Sequence, residues 1–219
     1  KGYEIPDLLF AVYQMMFSII TVGIATGSIV GRMRFSPLVI WISLWLLLVY
    51  YPLAHMVWGG GLLAQMGALD FAGGNVVHIS SGVAGLVMAL MVGKRVDYER
   101  IAYRPHNVPF VMLGTAILSF GWIGFNAGSA LGANASAIHA LATTLVSSAA
   151  GLLSWLLIEK LVGSKPSLVG ASTGLIAGLV AITPGAGYVS VGAALIIGAL
   201  VSPLCYFAIS VLKKKWNYD

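Results

Sequence analysis

The chain has 219 residues, of which 59% are hydrophobic and only 9% charged; its formal charge is +5 and its mean hydropathy +0.93. Soluble domains carry about 25% charged residues to keep their surfaces in water, so this composition excludes a soluble globular domain and predicts an all-α integral membrane protein. The basic residues are scattered among connections rather than gathered in a patch, which argues against nucleic acid as a partner.

Charged and Gly/Pro-rich breaks divide the sequence into seven apolar stretches, at about 6–30, 37–58, 73–92, 109–131, 135–162, 168–183 and 189–212. Most reach the ~20 residues that a helix needs to cross a hydrocarbon core. The sixth is short and requires extension at its ends, an untilted path or shelter from its neighbours. Arg32 and Arg34 follow the first stretch, Lys94, Arg95, Arg100 and Arg104 the third, Lys160 and Lys165 the fifth, and Lys213, Lys214 and Lys215 the seventh. The other connections hold no Lys or Arg. Eleven of the twelve basic residues thus share one side, which the positive-inside rule makes cytoplasmic. The chain is expected to start outside and end inside the cell.

The first stretch runs inward and carries Tyr13 and Phe17 toward the middle of the bundle. The second runs outward and ends at His55-Met56-Val57-Trp58, which places Trp58 at the outer face. Taken alone, a tryptophan there is more often an interfacial belt residue than a ligand. The outer connection then holds Asp70, which fits a helix cap and also, as the alternative, direct cation binding. Eight residues on, His78 lies roughly 10 Å below the outer boundary at 1.5 Å per residue. Ser81, Gly82 and Gly85 share its face. A histidine there either hydrogen-bonds a neighbouring helix or faces a conduction path. The loop 93–107 reads as a solvated loop, with docking of a cytoplasmic partner as its alternative.

The fourth stretch runs outward with Trp122, Phe125 and Ser129 on one face, Ser129 nearest the mouth. Glycines recur at every fourth position in three places: Gly23, Gly27 and Gly31; Gly124, Gly128 and Gly132; Gly170, Gly174 and Gly178. Such spacing fits close helix packing, with room for a narrow pore between helices as its alternative. The lone Cys205 excludes an internal disulfide and multi-cysteine metal sites, and no residue pattern calls for a cofactor.

These readings bring aromatic rings, a hydroxyl and an imidazole to the outer half of the bundle. Ring faces attract cations by about 0.5–2 kcal/mol, too little to repay full desolvation of an ion. A substrate able to shed a proton passes more easily than a permanent ion. Other classes fit less well. A retinal receptor needs a lysine inside an apolar helix, and the lysines here are terminal or in connections. A hydrolase using His78, Ser81 and Asp70 lacks a nucleophile turn and an oxyanion site, so the chain is not expected to be an enzyme.

The strings Ala54-His55-Met56-Val57-Trp58-Gly59-Gly60-Gly61 and Gly67-Ala68-Leu69-Asp70-Phe71-Ala72-Gly73-Gly74 resemble the ammonium transporter family, Amt with its Mep and Rh relatives. So do Gly121-Trp122-Ile123-Gly124-Phe125-Asn126-Ala127-Gly128-Ser129 and Ala181-Ile182-Thr183-Pro184. The likeness continues through the whole chain and is nearer the Amt branch. It implies an eleven-helix subunit of the plasma membrane, of which this chain resembles helices three to nine, assembled as a homotrimer in the lipid bilayer. It implies transport of ammonium or ammonia, with methylammonium as an analogue, and a PII-type protein as a cytoplasmic partner.

By matching positions, the resemblance assigns Trp58 and Ser129 to outer recruitment, with Tyr13 at the rim where many relatives carry phenylalanine. Phe17 and Phe125 match the stacked gate, next to Trp122, and His78 the first of a pair of pore histidines. Asp70 matches an aspartate near the entrance with a structural role. The second pore histidine belongs to a segment beyond Asp219, and none of His55, His106 and His139 has the surroundings to replace it. The chain also opens directly on a helix without methionine, and so reads as an interior part of a longer transporter. A non-transporting ammonium sensor on the same scaffold is the alternative.

Overall fold

The computed structural model describes residues 4–96, 98, 105–216 and 218–219. Arg100, Arg104 and much of the charged loop at 93–107 lie outside the described residues. Among the described residues there are seven helices and no strand: α1 Asp7–Thr26, α2 Phe35–Gln65, α3 Gly74–Val92, α4 Val108–Ala130, α5 Ala135–Leu161, α6 Leu168–Ile182 and α7 Val191–Trp216. All but α6 are long and apolar enough to cross a membrane. The 15 residues of α6 reach only roughly 22 Å at 1.5 Å per residue. Large apolar side chains point outward along the helices, as at Leu8, Leu48, Met91 and Phe120. Water would not tolerate that surface and lipid tails do. The chain is a multi-pass, all-α membrane protein.

Local chemistry starts and bends these helices. Side chains of Asn107, Asn134, Ser167 and Ser190 accept from the N–H three residues ahead and cap α4 to α7. In α2, a π-helical turn at Leu46–Tyr50 leads into Pro52. Proline has no N–H to close the helical ladder, and the wider turn instead bonds the Tyr51 N–H to the Leu46 carbonyl. A break at Gly59–Gly61 separates a last short turn, Leu62–Gln65.

The chain forms two compact units. The first holds α1, α2, α3 and the terminal residues Tyr218 and Asp219. Here α1 packs on α3, and Ala25, Ile29 and Met88 form a buried cluster flanked by Met33, Leu38 and Trp41. Asp219 is paired with Arg95 at 2.9 Å and with Arg32 at 3.7 Å. The Arg32 guanidinium also donates to the carbonyls of Ser28 and Gly93.

The second unit holds Glu4 and α4 to α7, with α5 as the helix that α6 and α7 both pack on. Small residues let these backbones approach closely. A Cβ added to Gly178 would lie 2.3 Å from the Ser147 carbonyl oxygen, and one on Gly198 2.1 Å from the same atom. Hydroxyls join the helices where they touch: Ser147 donates to the Gly178 carbonyl, Ser202 to Gly151 and Ser154 to Ala199. The last of these has a cause in the sequence of α7. Pro203 cannot bond the carbonyl four residues back, that of Ala199, and Ser154 supplies the missing donor at 2.7 Å.

The three glycine repeats therefore differ. Gly174 and Gly178 touch α5 backbone, whereas a Cβ on Gly23, Gly31 or Gly124 would meet nothing within 4 Å among the described residues.

Candidate functional site

In the first unit, three rings from α1 and α2 meet in sequence. Tyr13 and Phe17, one helical turn apart, lie edge to face with centroids 5.0 Å apart. Phe17 meets Trp58 at 5.8 Å and an interplanar angle of 87°. Phe17 is buried, at 2% exposure, while Tyr13 and Trp58 are half-buried. The rings present a graded apolar surface with no charged side chain among them.

Asp70 organises the next layer. Its side chain accepts from four consecutive backbone N–H groups: Gly73 at 2.8 Å and Gly74 at 2.7 Å on one oxygen, Asn75 at 2.8 Å and Val76 at 3.2 Å on the other. Those are donors that the start of a helix leaves without intrahelical partners, and a carboxylate also complements the positive helix end. The helix so capped is α3, whose opening turn Gly74–Ile79 is π-helical and carries His78.

Asp70 acts on Trp58 as well, because its backbone carbonyl accepts from the indole N–H at 2.8 Å. Gly73 makes the approach feasible. Its φ of 108° suits glycine, and a Cβ there would lie 2.7 Å from Val77 and 3.4 Å from the Trp58 ring. One short connection thus sets the indole plane and the start of the histidine helix together.

In the second unit, Trp122 and Phe125 lie 5.2 Å apart, one turn from each other on α4. The Trp122 indole N–H is buried and donates to the Thr183 hydroxyl at 3.0 Å, which itself donates to the Leu179 carbonyl at 2.7 Å. Ser129, in a 3-10 turn at the end of α4, donates to the Phe125 carbonyl at 2.8 Å. Leu131 closes that turn in the left-handed region, with φ of 54°. His139 is held in the same unit, its Nε2 lying 2.8 Å from the Val189 carbonyl.

The structure thus brings Tyr13, Phe17, Trp58 and Asp70 together around the start of the helix that carries His78, and brings Trp122, Phe125 and Ser129 together on α4. The Thr183 partnership with Trp122 was not read from the sequence; a hydroxyl directly before Pro184 was its only local sign. Among the described residues, no three His, Cys, Asp or Glu side chains are grouped to hold a metal ion.

The profile described as Ammonium Transporter Family matches residues 1–219. The chain is 50% identical over 215 residues to an ammonium transporter of Bacillus subtilis strain 168, covering 98% of this chain and 53% of that protein. It is 52% identical over 218 residues to one of Aquifex aeolicus, covering 100% of this chain and 50% of the other. Its fold matches the crystal structure of Candida albicans Mep2 with a TM-score of 0.92 and 42% identity, over 98% of this chain and 48% of that one. The chain spans about half the length of the relatives it matches. It belongs to the ammonium transporter family.

Proposed function

We propose that the protein carries ammonium across the plasma membrane. The observation that carries this reading is the match to the family over all 219 residues. Ammonium is drawn to Trp58 and Ser129 at the outer side, with Tyr13 at the rim. The cation is weakly favoured at the ring faces. It then gives up a proton to water, because Phe17, Phe125 and Trp122, which match the family's gate positions, offer no counter-charge to a desolvated ion. Neutral ammonia passes His78, whose imidazole both donates and accepts hydrogen bonds. Asp70, with its oxygens engaged by four N–H groups, supports the entrance without binding the ion.

The basic connections support a direction in which the start of the chain faces outside and Arg32, Arg34, Lys160, Lys165 and Lys213–Lys215 lie on the cytoplasmic side. By family likeness, the working unit is a homotrimer in the lipid bilayer, open to a PII-type regulatory protein from the cytoplasm.

The test is solute flux in proteoliposomes containing the intact polypeptide as its native membrane holds it. Ammonium should evoke a saturable current or uptake, methylammonium a smaller one, and Trp58→Leu should raise the half-saturating concentration. No flux for either solute overturns the proposal, and saturable binding without flux would turn it into a sensing function.

A further inference from the structure

Asn126 closes the α-helical part of α4, one residue beyond Phe125, and its side chain is fully buried, at 0% exposure. Its amide Nδ2 donates to the Thr144 hydroxyl of α5 at 2.9 Å. The Thr144 hydroxyl donates its single proton to the Ala140 carbonyl at 2.6 Å, so toward Asn126 it can only accept. That fixes the amide: its nitrogen, not its carbonyl oxygen, faces the Thr144 hydroxyl. No donor among the described residues lies within hydrogen-bonding reach of Oδ1.

A buried carbonyl left in this state is unfavourable, because it has lost water and gained no protein donor. The polar groups on either side are already committed. The Trp122 indole N–H goes to Thr183 and the Ser129 hydroxyl to the Phe125 carbonyl. What Asn126 offers at this level is an acceptor, oriented in advance by Thr144, and its natural complement is a small species rich in N–H protons. Ammonium has four N–H donors and ammonia three.

We propose that Asn126 Oδ1 is a binding station for the transported nitrogen, accepting an N–H of ammonium or ammonia as it passes Phe125. The inference rests on the transport reading above and adds a positioning residue to it.

The amide also holds Thr144, so the test must separate the two roles. Flux at subsaturating ammonium and thermal stability are measured for the wild type, Asn126→Leu, Thr144→Val and the double variant, each in the intact polypeptide. The double variant removes both hydrogen-bond partners and leaves neither orphaned, so its stability should recover over Asn126→Leu. Its flux should stay about tenfold below that of Thr144→Val, the equivalent of ~1.4 kcal/mol. Asn126→Asp keeps the shape and adds charge. It should hold the cation longer, lowering the half-saturating concentration and the maximal flux by about threefold each.

A double variant that transports like Thr144→Val, or an aspartate variant with wild-type kinetics, overturns the proposal and leaves Oδ1 to a resident water. Absence of flux in the wild type would instead overturn the transport reading itself.

Discussion

One carboxylate, that of Asp70, meets four N–H groups at 2.7 to 3.2 Å while its own backbone carbonyl holds the Trp58 indole. Hydrogen bonds to a charged acceptor contribute about 1.5–3 kcal/mol each when isolated, and less when they share two oxygens. Asn in its place keeps the shape but turns an NH2 group toward backbone N–H donors. Asp70→Asn should therefore destabilise the protein by about 3 kcal/mol, read as a lower unfolding temperature in detergent. Trp58 fluorescence should change with it, because the indole loses a fixed partner. A variant with unchanged stability and emission would show that the N–H groups do not depend on the charge. The position of Asp70 before a helix was enough to suggest a cap from the sequence. That a single side chain serves four donors, and also orients a ring 12 residues back, depends on the left-handed turn at Gly73.

Between helices, the bonds that matter join carbonyls freed by local sequence to hydroxyls on a distant segment. Pro203 releases the Ala199 carbonyl in the apolar middle of α7, and Ser154 of α5 answers it. Ser154→Ala should cost about 1–3 kcal/mol, the penalty for an acceptor left unmatched in an apolar medium. The additional variant Pro203→Ala should restore part of it by returning an N–H to the helix ladder. Thermal unfolding of the two variants and their combination decides this; additive losses would mean that the serine and the proline act independently. Pro203 cannot close a helix ladder wherever it stands, but the hydroxyl that answers its freed carbonyl lies 45 residues away in the sequence. The glycine repeats teach the same point. Their shared spacing made three equivalent stripes, yet Gly174 and Gly178 of α6 meet the α5 backbone while Gly23, Gly31 and Gly124 have nothing within 4 Å of an added Cβ among the described residues. Spacing reports which residues share a face, and only the neighbouring helix determines what that face touches.

Across the whole molecule, the distribution of basic residues makes the proposed orientation testable. With Cys205 and any other cysteine of the intact polypeptide replaced by alanine, a single cysteine introduced by Tyr188→Cys, in the connection between α6 and α7, should react with an impermeant maleimide added to intact cells. One introduced by Lys214→Cys should react only after permeabilisation. The reverse pattern would invert the topology and place the Trp58 end of α2 on the cytoplasmic side.

Hydropathy and the positions of charges are local properties, so the sequence by itself determined the membrane class, the apolar spans and the alternation of basic connections. Residue strings such as those around Trp58, Asp70 and Trp122 determined the family as well. Hydrogen-bond partnership in an apolar medium is a property of pairs. It depends on which carbonyl a proline or helix end releases and on which hydroxyl or N–H the facing segment brings within about 3 Å. That is why only the tertiary structure decided that Asp70 takes four donors, that Trp122 rests on Thr183, and that Thr144 takes the nitrogen of the Asn126 amide.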